Sequence, residues 1–257
     1  MTPSASRVRK NVFAVLTATF ALAAGAFALT AVPRETAIGN YSTSLKGRTT
    51  AQRHNAKLAL GRLVGAEIKP GETFSFNTKV GTISRDQGYR KAPVSYNGQL
   101  IDDWGGGVCQ TSTTLYNAAL LGGMKIVERN RHRFAPSYVP PGRDAAVAFS
   151  NIDLRFTNPH PYPVRVEGKI EGDRLSVSLI GSEPLAERPQ VVSEVAEMRT
   201  PETFVLGGPN GHRRVRNTGK MGCEVSVVRI QNGQRELISH DNYPAMNRVE
   251  QVVSAEG

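Results

Sequence analysis

The chain has 257 residues, 32 lysines and arginines against 22 aspartates and glutamates, and a formal charge of +10. That length supports one or two domains with a proper core, and a basic balance suits anionic lipids or acidic wall polymers as well as nucleic acid. A helix-turn-helix, zinc-ligand spacing and aromatics interleaved with basic residues are all missing, so no nucleic-acid partner is expected.

Val12 to Val32 is an uncharged, mostly apolar run preceded by Arg7, Arg9 and Lys10. At about 1.5 Å per residue it is long enough for a hydrocarbon core of about 30 Å. The upstream positive charges hold the N-terminus in the cytoplasm and send the rest outside. Residues 1–33 therefore read as a cytoplasmic tip and signal anchor, a single membrane span with an extracytoplasmic body. Ala26-Phe27-Ala28 offers the alternative of a cleaved signal peptide and a secreted protein. In an exported chain the two cysteines, Cys109 and Cys223, could pair, and their number does not decide it.

Residues 33–40 read as a linker. Thr49 or Thr50 is a helix N-cap before an amphipathic helix over 51–66, with Leu60, Leu63 and Val64 as its apolar stripe. Lys69 to Glu72 is a turn and Thr73 to Asn77 alternates as a strand. Residues 92–96 and 99–101 flank Asn97-Gly98 as a β-hairpin. It leads through Trp104 into Gly105-Gly106-Gly107, which disfavours helix and strand alike. The stretch after these glycines reads as a helix, with Leu115, Ala118, Ala119 and Gly122 on one face.

Cys109 thus falls at a helix N-terminus, where unpaired N–H groups and the helix dipole favour a thiolate. The alternative is a buried cysteine acting as a small hydrophobe; the glycines before it and the polar Gln110, Thr111 and Ser112 after it argue against an apolar site. A thiol nucleophile needs a base and a group to orient that base. His132 follows Cys109 by 23 positions (132 − 109) and Asp144 follows His132 by 12 (144 − 132). A strand at 125–128 returning from the helix would carry His132 back toward Cys109, and strands at 145–149 and 152–156 would place Asp144 beside it. Taken separately, His132 reads as a surface imidazole and Asp144 as a turn residue or a partner of Arg143. Arg129, Arg131 and Arg133 read as an anion-binding patch.

Further strands are expected at 164–166, 175–180, 224–230 and 236–239, with a hinge at 184–201. The fold expected is α+β: a helix packed on antiparallel strands in a papain-like or transglutaminase-like thiol-enzyme arrangement, plus a small all-β C-terminal appendage. The domains are then 1–33, 34–183 and 184–257. No metal is expected, because no metal-ligand spacing occurs. No cofactor is expected either; Walker A and dinucleotide fingerprints are absent.

Tyr41-Ser42-Thr43-Ser44, Pro70 to Asn77, Gly88-Tyr89, Ala92-Pro93-Val94, Gly105 to Gln110 with Ser112-Thr113, Leu115 to Ala118, and Tyr138-Val139-Pro140 with Gly142 to Ala145 resemble, in order, successive blocks of the VanW-like family. His132 matches the family's histidine after the pair that is Glu128-Arg129 here. The chain departs from the family at Arg133-Phe134-Ala135-Pro136 and at Ala146, where threonine is frequent. The C-terminal part resembles, more weakly, glycine-rich β modules of envelope proteins. The resemblance implies a bacterial envelope setting near peptidoglycan, the family being named from glycopeptide-resistance clusters.

Two functions follow as expectations. One is an exported thiol hydrolase or transferase acting on peptidoglycan or its precursors. In it Cys109, His132 and Asp144 are catalytic, Gly105, Gly106, Gly107 and Trp104 line the substrate loop, and the Cys109 N–H and Gln110 bind the oxyanion. The other is a non-catalytic wall- or membrane-surface-binding module that uses the arginines.

Overall fold

The computed structural model describes residues 35–96, 99–148, 151–208 and 211–253. The apolar run 12–32 and the Asn97-Gly98 turn lie outside them. Residues 36–257 cluster as one compact unit.

β1 (Thr36–Ser44) opens it, where a linker was expected over 33–40. The strand forms because Ile38 is buried and the backbone pairs antiparallel with β9 (Arg174–Gly181). β9 pairs in turn with β8 (Val164–Glu171), and β8 with the two-residue β2 (Glu67–Ile68). Helix α1 (Thr50–Leu63) starts at a capping box: the Thr49 hydroxyl accepts from Gln52 N–H at 3.1 Å, and the Gln52 side chain accepts from Thr49 N–H at 3.0 Å. Such a cap is worth about 1 kcal/mol. Ala56, Ala59, Leu60 and Leu63 are buried at helical spacing, so α1 packs its small-residue face inward.

β3 (Thr73–Ser75) stops earlier than its alternation suggests, because the Ser75 hydroxyl caps a short helix α2 (Phe76–Val80). β4 (Lys91–Tyr96) and β5 (Gln99–Trp104) pair in register, with Lys91 opposite Trp104. Helix α3 (Val108–Leu121) is nearly all buried and packs on β1 and β9. Gly39 permits this approach: a Cβ there would lie 2.2 Å from the Ala118 carbonyl oxygen.

β6 (Lys125–Glu128), β7 (Arg155–Thr157) and β3 form a separate three-stranded sheet in the order β3-β7-β6. Between β6 and β7 the described residues pair only in isolated bridges, Asn130 to Ala146 and Ala148 to Ile152. The strand expected at 145–149 is not formed among the described residues, and the one expected at 152–156 begins only at Arg155, as β7, since Asn77 Nδ2 takes the carbonyls of both Ala148 and Ile152 at 3.0 Å.

The expected hinge at 184–201 contains β10 (Gln190–Arg199), an edge strand paired with β13 (Gly222–Gln231). Its prolines sit at positions 184, 189 and 201, outside the ladder. β13 also pairs with β14 (Gln234–Tyr243). β11 (Thr203–Leu206), β15 (Met246–Val253) and β12 (His212–Lys220) make the last sheet, with β11 parallel and β12 antiparallel to β15.

Of the described residues 48% are strand and 17% helix, spread over several small sheets. That overturns the expected thiol-enzyme α+β arrangement. The strand after α3 is only four residues long, and 129–148 and 151–154 run as loop, so among the described residues no single sheet carries both His132 and Asp144 beside the helix.

Candidate active site

The glycine run is explained by close backbone packing. Gly107 has φ +107°, and a Cβ on it would lie 2.3 Å from the Gln52 carbonyl oxygen of α1; one on Gly106 would lie 2.8 Å from the carbonyls of Ala92 and Pro93. Asn55, fully buried on α1, clamps the loop from the other side. Its Nδ2 donates to Gly106 O at 2.9 Å and Arg90 O at 2.8 Å, and its Oδ1 accepts from Arg90 N–H at 2.8 Å. α3 then begins at a fixed point. Val108 N–H donates to Gly105 O at 2.9 Å and Gln110 N–H to Gly107 O at 3.1 Å. Among the described residues none accepts from the Cys109 N–H, so that amide remains for a ligand.

The buried polar residues of α3 hold the loop that carries Asp144. Ser112 Oγ donates to Ala145 O at 2.7 Å, and Thr113 Oγ1 accepts from Ala145 N–H at 3.0 Å. Asn117 Nδ2 donates to Arg143 O at 2.7 Å while its Oδ1 accepts from Arg143 Nε at 2.6 Å. Across the Asn130–Ala146 bridge, Asp144 meets His132. Asp144 Oδ2 accepts from His132 N–H at 2.7 Å and lies 2.5 Å from His132 Nδ1. That leaves Nε2 as the ring nitrogen available to Cys109, which lines the same cleft as His132. The Cys109 Sγ lies 3.5 Å from Val147 O. Both cysteines are free thiols, Cys223 buried in the C-terminal strands.

The charges of this trio are strongly coupled. Burial pushes the Cys109 thiol up, but the hydrogen bond and charge of His132 outweigh it and hold the thiol below its ordinary value. Burial pulls His132 down, yet its hydrogen bonds to Asp144 and Cys109 push it up to about 10. Asp144 is raised by burial and lowered more by His132 and Arg129, to about 2. All three directions favour thiolate, imidazolium and carboxylate at neutral pH.

Cys109, His132, Gly105, Gly106, Gly107 and Gln110 share one cleft of about 390 Å³ with Arg48, Tyr138, Lys220 and Met246. Several expected roles change. Gln110 is buried, its Nε2 donating to Thr43 Oγ1 at 3.1 Å and Ser44 O at 2.8 Å, and its Oε1 accepting from Arg48 Nε at 2.8 Å. With its backbone N–H also taken, it has no donor left for an oxyanion. Trp104 does not line the cleft; it lies under the Lys91 ammonium, 5.7 Å from ring centre to nitrogen. Nor do the three arginines form one patch. Arg129 is buried and paired with Asp144 at 2.9 Å and Asp241 at 2.6 Å. Arg131 stacks over Tyr243 at 5.4 Å, and only Arg133 lines the cleft.

Residues not anticipated from sequence are Asn55, Arg48, Tyr138, Lys220, Asp241, Tyr243 and Met246. Tyr138 and Arg48 stack at 5.1 Å beside the cleft. Tyr138 falls within a motif block and was open to notice; Asn55 lies outside all of them. Tyr243 is 99 positions from Asp144 and carried no local signal. Among the described residues no three of His, Cys, Asp or Glu gather as metal ligands.

The family model described as VanW like protein matches residues 51–180. The chain is 37% identical over 151 residues to the uncharacterized protein YoaR of Bacillus subtilis, covering 59% of this chain and 50% of that protein. It is 31% identical over 147 residues to the vancomycin B-type resistance protein VanW of Enterococcus faecalis, covering 55% of this chain and 52% of that one. It thus spans about half the length of the curated relatives it matches. The crystal structure of HP0197-G5 matches 26% of this chain and 96% of its own, at 21% identity and a TM-score of 0.16, a score that carries no argument about fold. The chain belongs to the VanW-like family.

Proposed function

We propose that this member of the VanW-like family is an exported thiol enzyme acting on amide or peptide bonds of cell-wall peptidoglycan or its precursors. The observation that carries the reading is that Cys109, at the start of α3, and His132 line one cleft while buried Asp144 holds His132 Nδ1 from behind. The Cys109 thiolate forms a bond to the carbonyl carbon while the Cys109 N–H holds the oxyanion. The imidazolium of His132 gives its proton to the departing amine as the C–N bond breaks, leaving a thioester. Neutral His132 then takes a proton from water or an acceptor amine, which attacks the thioester and frees Cys109. Asp144 keeps the imidazole oriented through Nδ1.

The export and envelope setting rests on the apolar run 12–32 with its basic flank; among the described residues no helix is long and apolar enough to cross a membrane. A relative named for vancomycin resistance supports the wall as the place of action. The alternative, a binding module built on three arginines, is disfavoured because Arg129 is buried in ion pairs. The test is full-length protein with purified peptidoglycan and mass spectrometry of the muropeptides. Wild-type chain should release or exchange an amide-linked fragment that Cys109→Ser does not. Equal product from both would overturn the assignment.

A further inference from the structure

Residues beyond the family match at 180 reach into the site from β12, β14 and β15. Lys220 and Met246 line the cleft. The Lys220 ammonium donates to Ala135 O, and Cys223, Val225 and Tyr243 form a buried cluster with Ala135. Arg229 Nη1 donates to Met124 O at 2.7 Å, just after α3. Gly142, two residues before Asp144, has φ +80° and is pressed so closely on β13 that a Cβ would lie 2.5 Å from Val227.

Two side chains of β14 go further, Tyr243 to Asp144 itself and Asp241 to the Arg129 guanidinium that pairs with Asp144. In Asp144, Oδ1 accepts from the Tyr243 hydroxyl and from Arg129 Nη2, while Oδ2 serves His132. Arg129 Nη1 is occupied by Asp241 Oδ2 at 2.6 Å, and Ser239 Oγ fixes that carboxylate at 3.0 Å. Guanidinium groups favour bidentate pairing with one carboxylate. Were Nη1 free, Arg129 could take both oxygens of Asp144 and draw Oδ2 away from the histidine. Tyr243 and Asp241 together prevent that, the first by holding Oδ1 and the second by holding Nη1.

We infer that the C-terminal strands are part of the catalytic machinery, with Tyr243 and Asp241 as positioning residues that keep Asp144 Oδ2 on His132. This rests on the thiol-enzyme reading of the cleft. Tyr116, Tyr138, Lys220 and Arg131, the last over the Tyr243 ring, also face this network and stay unchanged in the variants below.

The experiment is the rate of iodoacetamide alkylation of Cys109 against pH, in the full-length chain carrying Cys223→Ala. Tyr243→Phe keeps the ring and removes only the hydroxyl; Asp241→Ala removes the carboxylate that occupies Arg129 Nη1. Losing one hydrogen bond to a buried charge should move the thiolate titration upward by about one pH unit, so alkylation below it slows about tenfold. Val228→Ala, a cavity in the same sheet (Val228 is buried), should lower Tm and leave the titration in place. A Tyr243→Phe and Asp241→Ala pair that lose stability but keep the wild-type titration would overturn the inference and leave the thiol-enzyme reading standing. An ordinary thiol in the parent protein would sink that reading first, and this one with it.

Discussion

Asp144→Asn is the sharpest perturbation of the network, because the side chain is wholly buried and every acceptor position is used. The carboxyl is held at about 2 against an ordinary 3.8, which corresponds to roughly 2 kcal/mol of stabilisation. An asparagine also leaves Arg129 with Asp241 as its one carboxylate and turns an N–H₂ toward one of its donors. Breaking a buried pair from one side costs about 3–5 kcal/mol, so a loss of about 3 kcal/mol is expected. With a urea m-value of about 2–3 kcal/mol/M, the midpoint should fall by roughly 1–1.5 M. The pH dependence has a definite sign. A lowered carboxyl stabilises fully above its unfolded value of 3.8, and the contribution is lost as pH falls toward about 2. The gap between wild type and variant should therefore be constant from neutral pH to about 5 and narrow below 4. Urea melts of both proteins over that range measure it. A loss under about 1 kcal/mol at neutral pH, or a gap that widens on acidification, would refute the ion-paired Asp144.

Gly107→Ala places a Cβ 2.3 Å from the Gln52 carbonyl at φ +107°. Strain of this kind costs about 1–3 kcal/mol before any clash, so the variant should melt lower and lose fast alkylation at Cys109 together. Asn55→Ala leaves the Arg90 N–H and the carbonyls of Arg90 and Gly106 without their partner. A loss of about 2–3 kcal/mol in urea melts is expected, and a change below about 0.5 kcal/mol would remove Asn55 as the clamp of the glycine loop. Gln110→Ala should cost stability through the lost ties to Thr43, Ser44 and Arg48, yet keep the thiolate titration of Cys109, since no Gln110 donor faces the cleft. A titration moved as far as that of a His132 variant would contradict this.

Local features were the legible ones. Thr49 capping α1, a helix beginning at the glycine run and the β4–β5 pairing all follow from residues close in sequence. The glycines were readable as a turn, but not the reason for three of them, which is the Ile83 side chain pressed on Gly105 and the backbone of β4 and α1 pressed on Gly106 and Gly107. The polar residues after Cys109 read as evidence against a core site. In the structure Ser112, Thr113 and Asn117 are buried, and they are polar because they hold the backbone of 143–145. The α+β expectation failed through the same region: the segment that brings His132 to Asp144 is loop fixed by side-chain hydrogen bonds, which no periodicity reports. Charge misled as well. Arg129 looked like a surface cation beside Arg131 and Arg133, and its partners Asp241 and Tyr243 lie more than 110 positions away. A segment charged and flanked by prolines, 184–201, read as a hinge, although Val191 to Val195 already had the β-branched content of a strand.

The central claim is that Cys109 rests as a thiolate against the imidazolium of His132. Ultraviolet absorbance of the thiolate against pH, in full-length protein with Cys223→Ala, measures it without a substrate. The account predicts a titration well below the free-cysteine value of about 8.5 that moves back toward it in His132→Ala. A thiol that titrates at or above that value in the parent protein, or one indifferent to His132→Ala, would contradict it.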